Sequence, residues 1–495
     1  MLDNETANLS PTISTDQVRR RARRIRRRRG LMVATATTLL MAVAGGIYAT
    51  TSVRPPDVSA VTGPSTLYYS DGTTVLARLD GTRESAVTAP VGLVVNHVLD
   101  ELSHTEGSPL RGQSWESIEN GNYAITTTID PRAQRVLEET VDPAIDGSVM
   151  HGQPDNLQAA GAVVEPGTGR VLAYYGGPDG LGSDYAGFYV DEQGEATGVG
   201  WHPPGATFMV YTLAAALKAG YSLQSQWQWT PHAQIGRSAS NPIRNASICT
   251  SNRTGQACSL LESTTNSLNV PLYDVTASVG PGRVLELARD AGIDHMWTDA
   301  RERIDLRTGS VAQLAGPRFD TMLGLGQYPV TVLDQANAMA TFSAGGRRAQ
   351  AHFVRTVARA ARTIYSETLP RADQPGLLAE GQLADLSYAL TRNSATNWLA
   401  AKTGTWEYGP NPDQNAHAWD IGYSSALATA IWVGNKAEER PLHTADGTTI
   451  WGSGLPGTML RLVINRTQEA LGLTAKPLPT PVYGGDLNPP GSLPS

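Results

Sequence analysis

Cysteine is nearly missing from this 495-residue chain, which has only Cys249 and Cys258. Two cysteines exclude a small scaffold stapled by many disulfides. With no histidine beside either, they do not read as a metal site. A second long apolar run is also missing, so the chain crosses a membrane once at most. No internal repeat is present, which excludes solenoids and propellers. Basic residues are scarce outside one block. Nine arginines lie between Arg19 and Arg29, and the chain beyond residue 30 carries 30 basic against 43 acidic residues, a balance of −13. A nucleic-acid binder would spread its cations over the folded part, so that class is excluded.

What is there is the composition of a folded protein: 40% hydrophobic, 17% charged, punctuated by 50 Gly and 31 Pro. The run from Gly30 to Val53 has no charged residue and is closed by Arg54-Pro55-Pro56. About 20 apolar residues cross a bilayer. The arginine block before the run sets the N-terminus inside by the positive-inside rule. The alternative is a cleaved signal peptide, whose apolar core of about 7–15 residues is shorter. The expectation is therefore a cytoplasmic basic tail over 1–30, a single-pass anchor over 31–53, and an extracytoplasmic remainder at the cell membrane. In that oxidising compartment Cys249 and Cys258, flanking a polar loop, are expected to form a local disulfide. Two buried free thiols are the other reading.

Along the remainder, Thr66–Arg78 reads as a hairpin turning at Asp71-Gly72. Residues 159–177 read as two β-runs around Pro166-Gly167-Thr168-Gly169. Helical patterns cover Thr207–Leu217, Leu260–Val279, Gly282–Ala291 and Val332–Ser343. Ala400–Thr405 and Ala416–Gly434 read as successive strands. Strands at both ends enclosing helices imply an α/β (α+β) domain whose sheet is completed by distant segments. The Pro/Gly-rich end, Lys476–Ser495, is expected to be disordered.

Read in order, these segments resemble the class A penicillin-binding proteins of actinobacterial type. Thr126–Gln134 looks like the entry into their transpeptidase domain, and Val163–Gly177 like its first hairpin. Trp201-His-Pro-Pro-Gly-Ala-Thr-Phe-Met209 aligns with the nucleophile motif and Ser267-Leu-Asn269 with the second motif. Lys402-Thr-Gly-Thr405 aligns with the third, and Ala418-Trp419 with Ile431–Asn435 matches the strands that follow. The resemblance implies a serine β-lactamase or DD-transpeptidase-like fold, an antiparallel sheet flanked by helices, over 122–473. It also implies a juxtamembrane linker over 54–121, a tail over 474–495, no cofactor and no metal.

Acyl transfer of this kind needs an activated hydroxyl, a base and donors for the tetrahedral oxyanion. Ser-x-x-Lys sets serine and lysine on one helix face. The resemblance gives the second motif's serine a proton-relay role, and the lysine of the third motif fixes local charge. Its edge strand and threonines grip the substrate backbone and carboxylate. Substrate-binding roles thus fall to Ser267, Asn269, Lys402, Thr403, Gly404 and Thr405. In this sequence, however, the first motif reads Ala206-Thr-Phe-Met209, between Pro204-Gly205 and Tyr211–Ala214, which leaves no freedom to shift the alignment. Alanine has no nucleophilic atom and a thioether is no base, so no catalytic residue is intact. Thr207 points about 100° away along a helix, a poor substitute. Loss of the nucleophile costs on the order of 10⁶ in rate.

Family members also carry a glycosyltransferase domain before the transpeptidase domain. Here Arg83–Val91 resembles the approach to it, while Val95–Leu102 already resembles the linker that follows, so this domain is expected to be excised. For the remaining motif residues two readings stand. One is a groove that still holds a peptidoglycan stem peptide or β-lactam without covalent bonding. The other is inherited packing, favoured by Trp406 at the groove mouth, Asp420 at an apolar strand position, and Ala401 in place of a glycine. His417 reads as ordinary, since no partner for it can be named. The expected function is a non-catalytic pseudo-transpeptidase that scaffolds or regulates other cell-wall synthesis proteins. A reversible sensor or decoy for β-lactams or muropeptides, and residual D,D-transpeptidase or carboxypeptidase activity, are the alternatives.

Overall fold

The computed structural model describes residues 63–79, 89–233, 243–371, 373–409 and 411–494. The expected basic tail and anchor lie outside them, as does most of Arg83–Val91. Among the described residues no helix is long and apolar enough to cross a membrane.

The chain opens with the hairpin expected at Asp71-Gly72: β1 (Ser65–Tyr68) pairs antiparallel with β2 (Val75–Leu79). The Asp71 carboxylate closes the turn by accepting from the backbone N–H groups of Thr73 and Thr74. Helix α1 (Val91–His104) follows, burying Leu93, Val94, Val98, Leu99 and Leu102, the apolar stripe of an amphipathic helix. Then come β3 (Tyr123–Thr127) and α2 (Pro131–Val141), the latter capped by the Asp130 carboxylate on the amides of Arg132 and Ala133, with proline at its first turn. Both cap and proline are standard helix starts.

Strands β4 (Leu157–Val164) and β5 (Val171–Tyr175) form the expected hairpin. A 3₁₀ turn over Gly205–Phe208 feeds helix α3 (Met209–Lys218). Two short strands, β6 (Gln226–Gln228) and β7 (Ala257–Ser259), pair with each other. The single helical pattern read over Leu260–Val279 is two helices, α4 (Leu260–Thr265) and α5 (Asn269–Val279). They break at Ser267, whose φ of +53° is incompatible with helix. After α6 (Pro281–Ala291) and α7 (Val332–Ser343) come β8 (Val354–Arg359) and β9 (Arg362–Ser366), then α8 (Glu380–Ser394). The chain continues through β10 (Ala400–Tyr408), β11 (Asn411–Tyr423) and β12 (Ala428–Asn435) to α9 (Leu455–Leu471).

Two five-stranded sheets result. The central one runs β10-β11-β12-β4-β5, with every neighbouring pair antiparallel. Both its faces are covered, which is why β4 is buried at every residue. On one face Ala159, Val163 and Ile431 pack with Leu137 of α2 and Val463 of α9. On the other, Ala160, Ala162, Trp419 and Trp432 join the larger core with α3 and α7. Alternate residues of one strand thus serve two cores, as the two-residue period requires. Each large apolar side chain so buried contributes roughly 1.5–3 kcal/mol.

The second sheet runs β9-β8-β3-β1-β2, with β1 parallel to β3. It corrects the expectation of a linker over 54–121, because residues 63–79 and 89–121 fold into the domain. Ser65 Oγ donates to the Ile118 carbonyl and accepts from Tyr123 N–H. The Glu101 carboxylate, pushed up to about 7 by burial, accepts from the amides of Phe353 and Val354. An unpaired edge of β3 and an apolar helix stripe both need cover, and this segment supplies it.

The tail is likewise seated rather than disordered. The Asp385 carboxylate accepts from Val482 and Tyr483 N–H, Asp486 N–H reaches Gly220 O, and Leu493 pairs with Gln226 at the edge of β6. Proline bars helix here, yet extended backbone can still satisfy neighbouring edges.

Candidate functional site

Between the 3₁₀ turn, the α4–α5 break and strand β10 lies a groove of about 830 Å³. Two glycines bring its walls together. Gly205 sits at φ +53°, and a Cβ there would lie 2.3 Å from the Thr405 carbonyl. A Cβ on Gly404 would lie 2.4 Å from the Pro204 carbonyl. No other residue fits such an approach. The first and third motifs, far apart in sequence, are in backbone contact.

The strand wall keeps a polar network. Lys402 is completely buried, and its Nζ donates to Ser267 Oγ at 2.5 Å and to the Thr403 carbonyl at 2.8 Å. Burial lowers this ammonium to about 8, opposed by the charge of Asp420. The left-handed backbone of Ser267 sets its hydroxyl against that ammonium at a cost of about 1–3 kcal/mol, and accounts for the break between the two helices. Asn269 Nδ2 donates to the Arg244 carbonyl at 2.9 Å, tying the second motif to the loop before the disulfide. Thr403, Gly404 and Thr405 line the groove, and Thr405 Oγ1 accepts from Gly452 N–H. The second and third motifs therefore meet, Lys402 on Ser267.

The helix wall offers no polar side chain at 206 or 209. Ala206 borders the groove and is partly exposed, whereas Met209 is fully buried in the apolar core with Phe208 and Val210. Thr207 is also fully buried. Its hydroxyl donates to the Pro204 carbonyl and accepts from Gln335 Nε2, both at 2.9 Å. That hydroxyl is spent on these two hydrogen bonds.

The residues expected to depart from the family pattern also find places. Ala401 faces Gly422 across the β10–β11 pair, so the methyl group absent on one strand makes room for the one present on the other. Asp420, opposite Thr403, is buried and its carboxyl is pushed up to about 7 by desolvation, against the pull of Arg461 and Lys402. Its Oδ1 has no hydrogen-bond partner among the described residues. Trp406 borders the groove.

His417 is not ordinary. Its Nδ1 accepts from Trp432 Nε1 and its Nε2 lies 3.2 Å from Glu439 Oε1. That hydrogen bond holds the Glu439 carboxyl below its usual range. His202 stacks on the same Trp432 ring at 3.6 Å, and burial drives its imidazole well below the ordinary histidine value. Sequence reasoning missed Arg244, Asn415, Glu439 and Trp451, all of which border the groove. They come from segments without a motif. The only available signal was the proximity of Asn415 and Glu439 in sequence to the strands after Lys402. Beside this wall Cys249 and Cys258 are bridged, with Cα atoms 5.9 Å apart.

Residues 159–449 match the family described as "Penicillin binding protein transpeptidase domain". Penicillin-binding protein 1A of Mycobacterium tuberculosis is 30% identical over 457 residues, covering 89% of this chain and 50% of that protein. Penicillin-binding protein 1A of Mycolicibacterium smegmatis is 29% identical over 418 residues, covering 81% and 48%. The chain thus spans about half the length of these relatives. The solved structure of PonA1 from M. tuberculosis superimposes with a TM-score of 0.64 at 26% identity, over 82% of this chain and 99% of that one. PBPA of the same organism shares the fold, with a TM-score of 0.57 at 20% identity over 82% of this chain and 99% of that one.

Proposed function

Because the chain belongs to the penicillin-binding protein transpeptidase family, we propose that it is a membrane-anchored member linked to peptidoglycan synthesis that no longer forms the family's acyl-enzyme. On this reading residues 31–53 are the anchor, the folded part is extracytoplasmic, the glycosyltransferase domain is absent, and the protein scaffolds or regulates active cell-wall synthases. One observation carries the reading: where the reaction needs a hydroxyl and an amine, the groove wall presents the Ala206 methyl group, and Met209 is sealed in the core. Acylation begins when an oxygen attacks the substrate carbonyl and its proton passes to a base. Neither Ala206 nor Met209 supplies either group, and the nearest hydroxyl on that turn, Thr207, is engaged elsewhere.

A second reading, reversible binding of a stem peptide or β-lactam, draws on a different observation. The groove is open, and its far wall still holds Lys402 against Ser267, with Thr403 and Thr405 lining it. Scaffolding and reversible binding are compatible, and neither requires turnover.

The test is to incubate the purified protein with a fluorescent penicillin and then denature it. The expected outcome is no label that survives electrophoresis, with reversible binding measured separately by competition with muropeptides. A stoichiometric covalent label would overturn the non-catalytic reading, and its mapped position would identify the nucleophile.

A further inference from the structure

Away from the groove, the strands His295–Trp297 and Arg303–Asp305 form a hairpin that buries one face. Met296 lies in the core and Ile304 packs against it. Alternation then turns His295, Trp297, Arg303 and Asp305 to the other face. There three rings form a row. Trp297 stacks on Trp201 at 5.5 Å and meets the Phe188 ring edge-on at 5.6 Å. A guanidinium ends the row on each side, Arg301 at 5.7 Å over Trp201 and Arg303 at 4.7 Å over Phe188. The row is built in advance, because Trp201 and His202 are themselves paired with Thr331 and Val330.

Two observations set these arginines apart from a solvated surface. The first is their lack of acidic partners. Each carboxylate of the hairpin already has a donor: Asp299 from Gln327, Glu302 from Arg318 and Asp305 from Arg307. Glu439, the acid that feels Arg301, is hydrogen-bonded to His417. Among the described residues neither Arg301 nor Arg303 makes an ion pair or a side-chain hydrogen bond. They stand so in a chain that carries 43 acidic against 30 basic residues beyond residue 30. A ring holds the flat face of a guanidinium and leaves its N–H edge free. The second is backbone conformation. Arg301 closes the tight loop between the strands at φ +59°, where Thr298 O accepts its N–H. Glycine fills such a position without strain, and an arginine there lays its side chain on Trp201.

We propose that the row Arg301–Trp201–Trp297–Phe188–Arg303 is a docking surface for an extended acidic segment of a partner protein. The inference rests on the scaffold reading above and gives that partner its chemistry. Guanidinium edges take carboxylates bidentately, and the rings between them take an apolar side chain. An extended segment shows every second residue on one side, so an acid, an apolar residue and an acid at alternate positions fit the row. A uniform polyanion is disfavoured, because Asp299, Glu302 and Asp305 flank the two cations.

The probe is fluorescein-labelled Gly-Glu-Ser-Leu-Ser-Glu-Gly, compared with the same peptide carrying glutamine for glutamate and with inorganic polyphosphate. Each is titrated into the full-length protein and followed by anisotropy or competition. The acidic peptide is expected to bind at least ~10-fold more tightly than its glutamine counterpart, by a margin that shrinks as salt rises. Arg301→Gln/Arg303→Gln should erase the margin, with thermal unfolding confirming that the variant is folded. Arg301→Lys/Arg303→Lys, which keeps the charge and loses the planar fork, should fall between the two, and it decides the matter if the glutamine variant does not fold. Equal affinities for the two peptides, a margin unchanged in either double variant, or tighter binding of polyphosphate would overturn the surface. The scaffold reading would then stand on another face of the molecule, since it fails only with a covalent penicillin label.

Discussion

On the helix side of the groove, the turn from Gly205 into α3 ends in Ala206 at the surface and Met209 in the core, and its hydroxyl is turned inward. On the strand side, a buried lysine remains hydrogen-bonded to a serine held in a left-handed conformation. Burying an ammonium is expensive unless it is fully paired, and holding serine at φ +53° adds strain. One wall is thus apolar at 206 and 209, while the other holds a costly polar arrangement. The difference lies in where the polar groups sit: the cost of burying them is borne on the strand side only.

Replacing Met209 with lysine breaks the comparison most severely. The Met209 site is fully buried among apolar side chains, so Met209→Lys should lose on the order of 3–5 kcal/mol in denaturant unfolding. Ala206→Ser, at a partly exposed position, should lose less than about 1 kcal/mol and acquire no covalent penicillin label. A well-tolerated lysine at 209 would mean that the helix wall is still built for an amine.

Asp420 tests the strand wall by pH. Its carboxyl sits near 7 in the folded state against 3.8 for an ordinary aspartate, so between those values the native state binds more protons than the unfolded chain. Stability from this group is then fully present below about pH 4, falls as pH rises, and is lost above about 7. Asp420→Asn should accordingly match the natural protein near pH 4 and exceed it at pH 8, by roughly 2–4 kcal/mol. Chemical denaturation at the two pH values checks this. A constant difference would show that Asp420 does not titrate in this range.

The smallest effect concerns the loop flanking the second motif. Replacing both Cys249 and Cys258 with serine opens a short loop and should lower stability by about 2–3 kcal/mol. Helix α4 starts two residues after Cys258 and ends two before Ser267, so any muropeptide affinity should weaken as well. Two free thiols in the unfolded, unreduced natural protein would remove the basis for this expectation.

Much of the scaffold was legible in local pattern. The Asp71-Gly72 and Pro166–Gly169 turns, the helices over Gly282–Ala291 and Val332–Ser343, and the strands around Lys402 lie where their residues put them. The helix break at Ser267 was not legible, because the stretch around it keeps a helical pattern while the hydrogen bond to Lys402 comes from a strand 135 residues away. The roles of the hairpin at 65–79 and of the tail at 476–494 were missed for a related reason. Each is a partner for an edge formed by distant chain, and composition says nothing about which edges lie open.

The absence of a hydroxyl at 206 and of an amine at 209 is read from sequence alone, because bond-making atoms belong to side chains and no packing can supply an oxygen to Ala206 or an amine to Met209. The character of the groove that remains was decided only by tertiary structure. The burial of Lys402 and Asp420 and the His417–Glu439 hydrogen bond arise from strand register and long-range packing. Those fix distances and dielectric between residues that the sequence holds far apart.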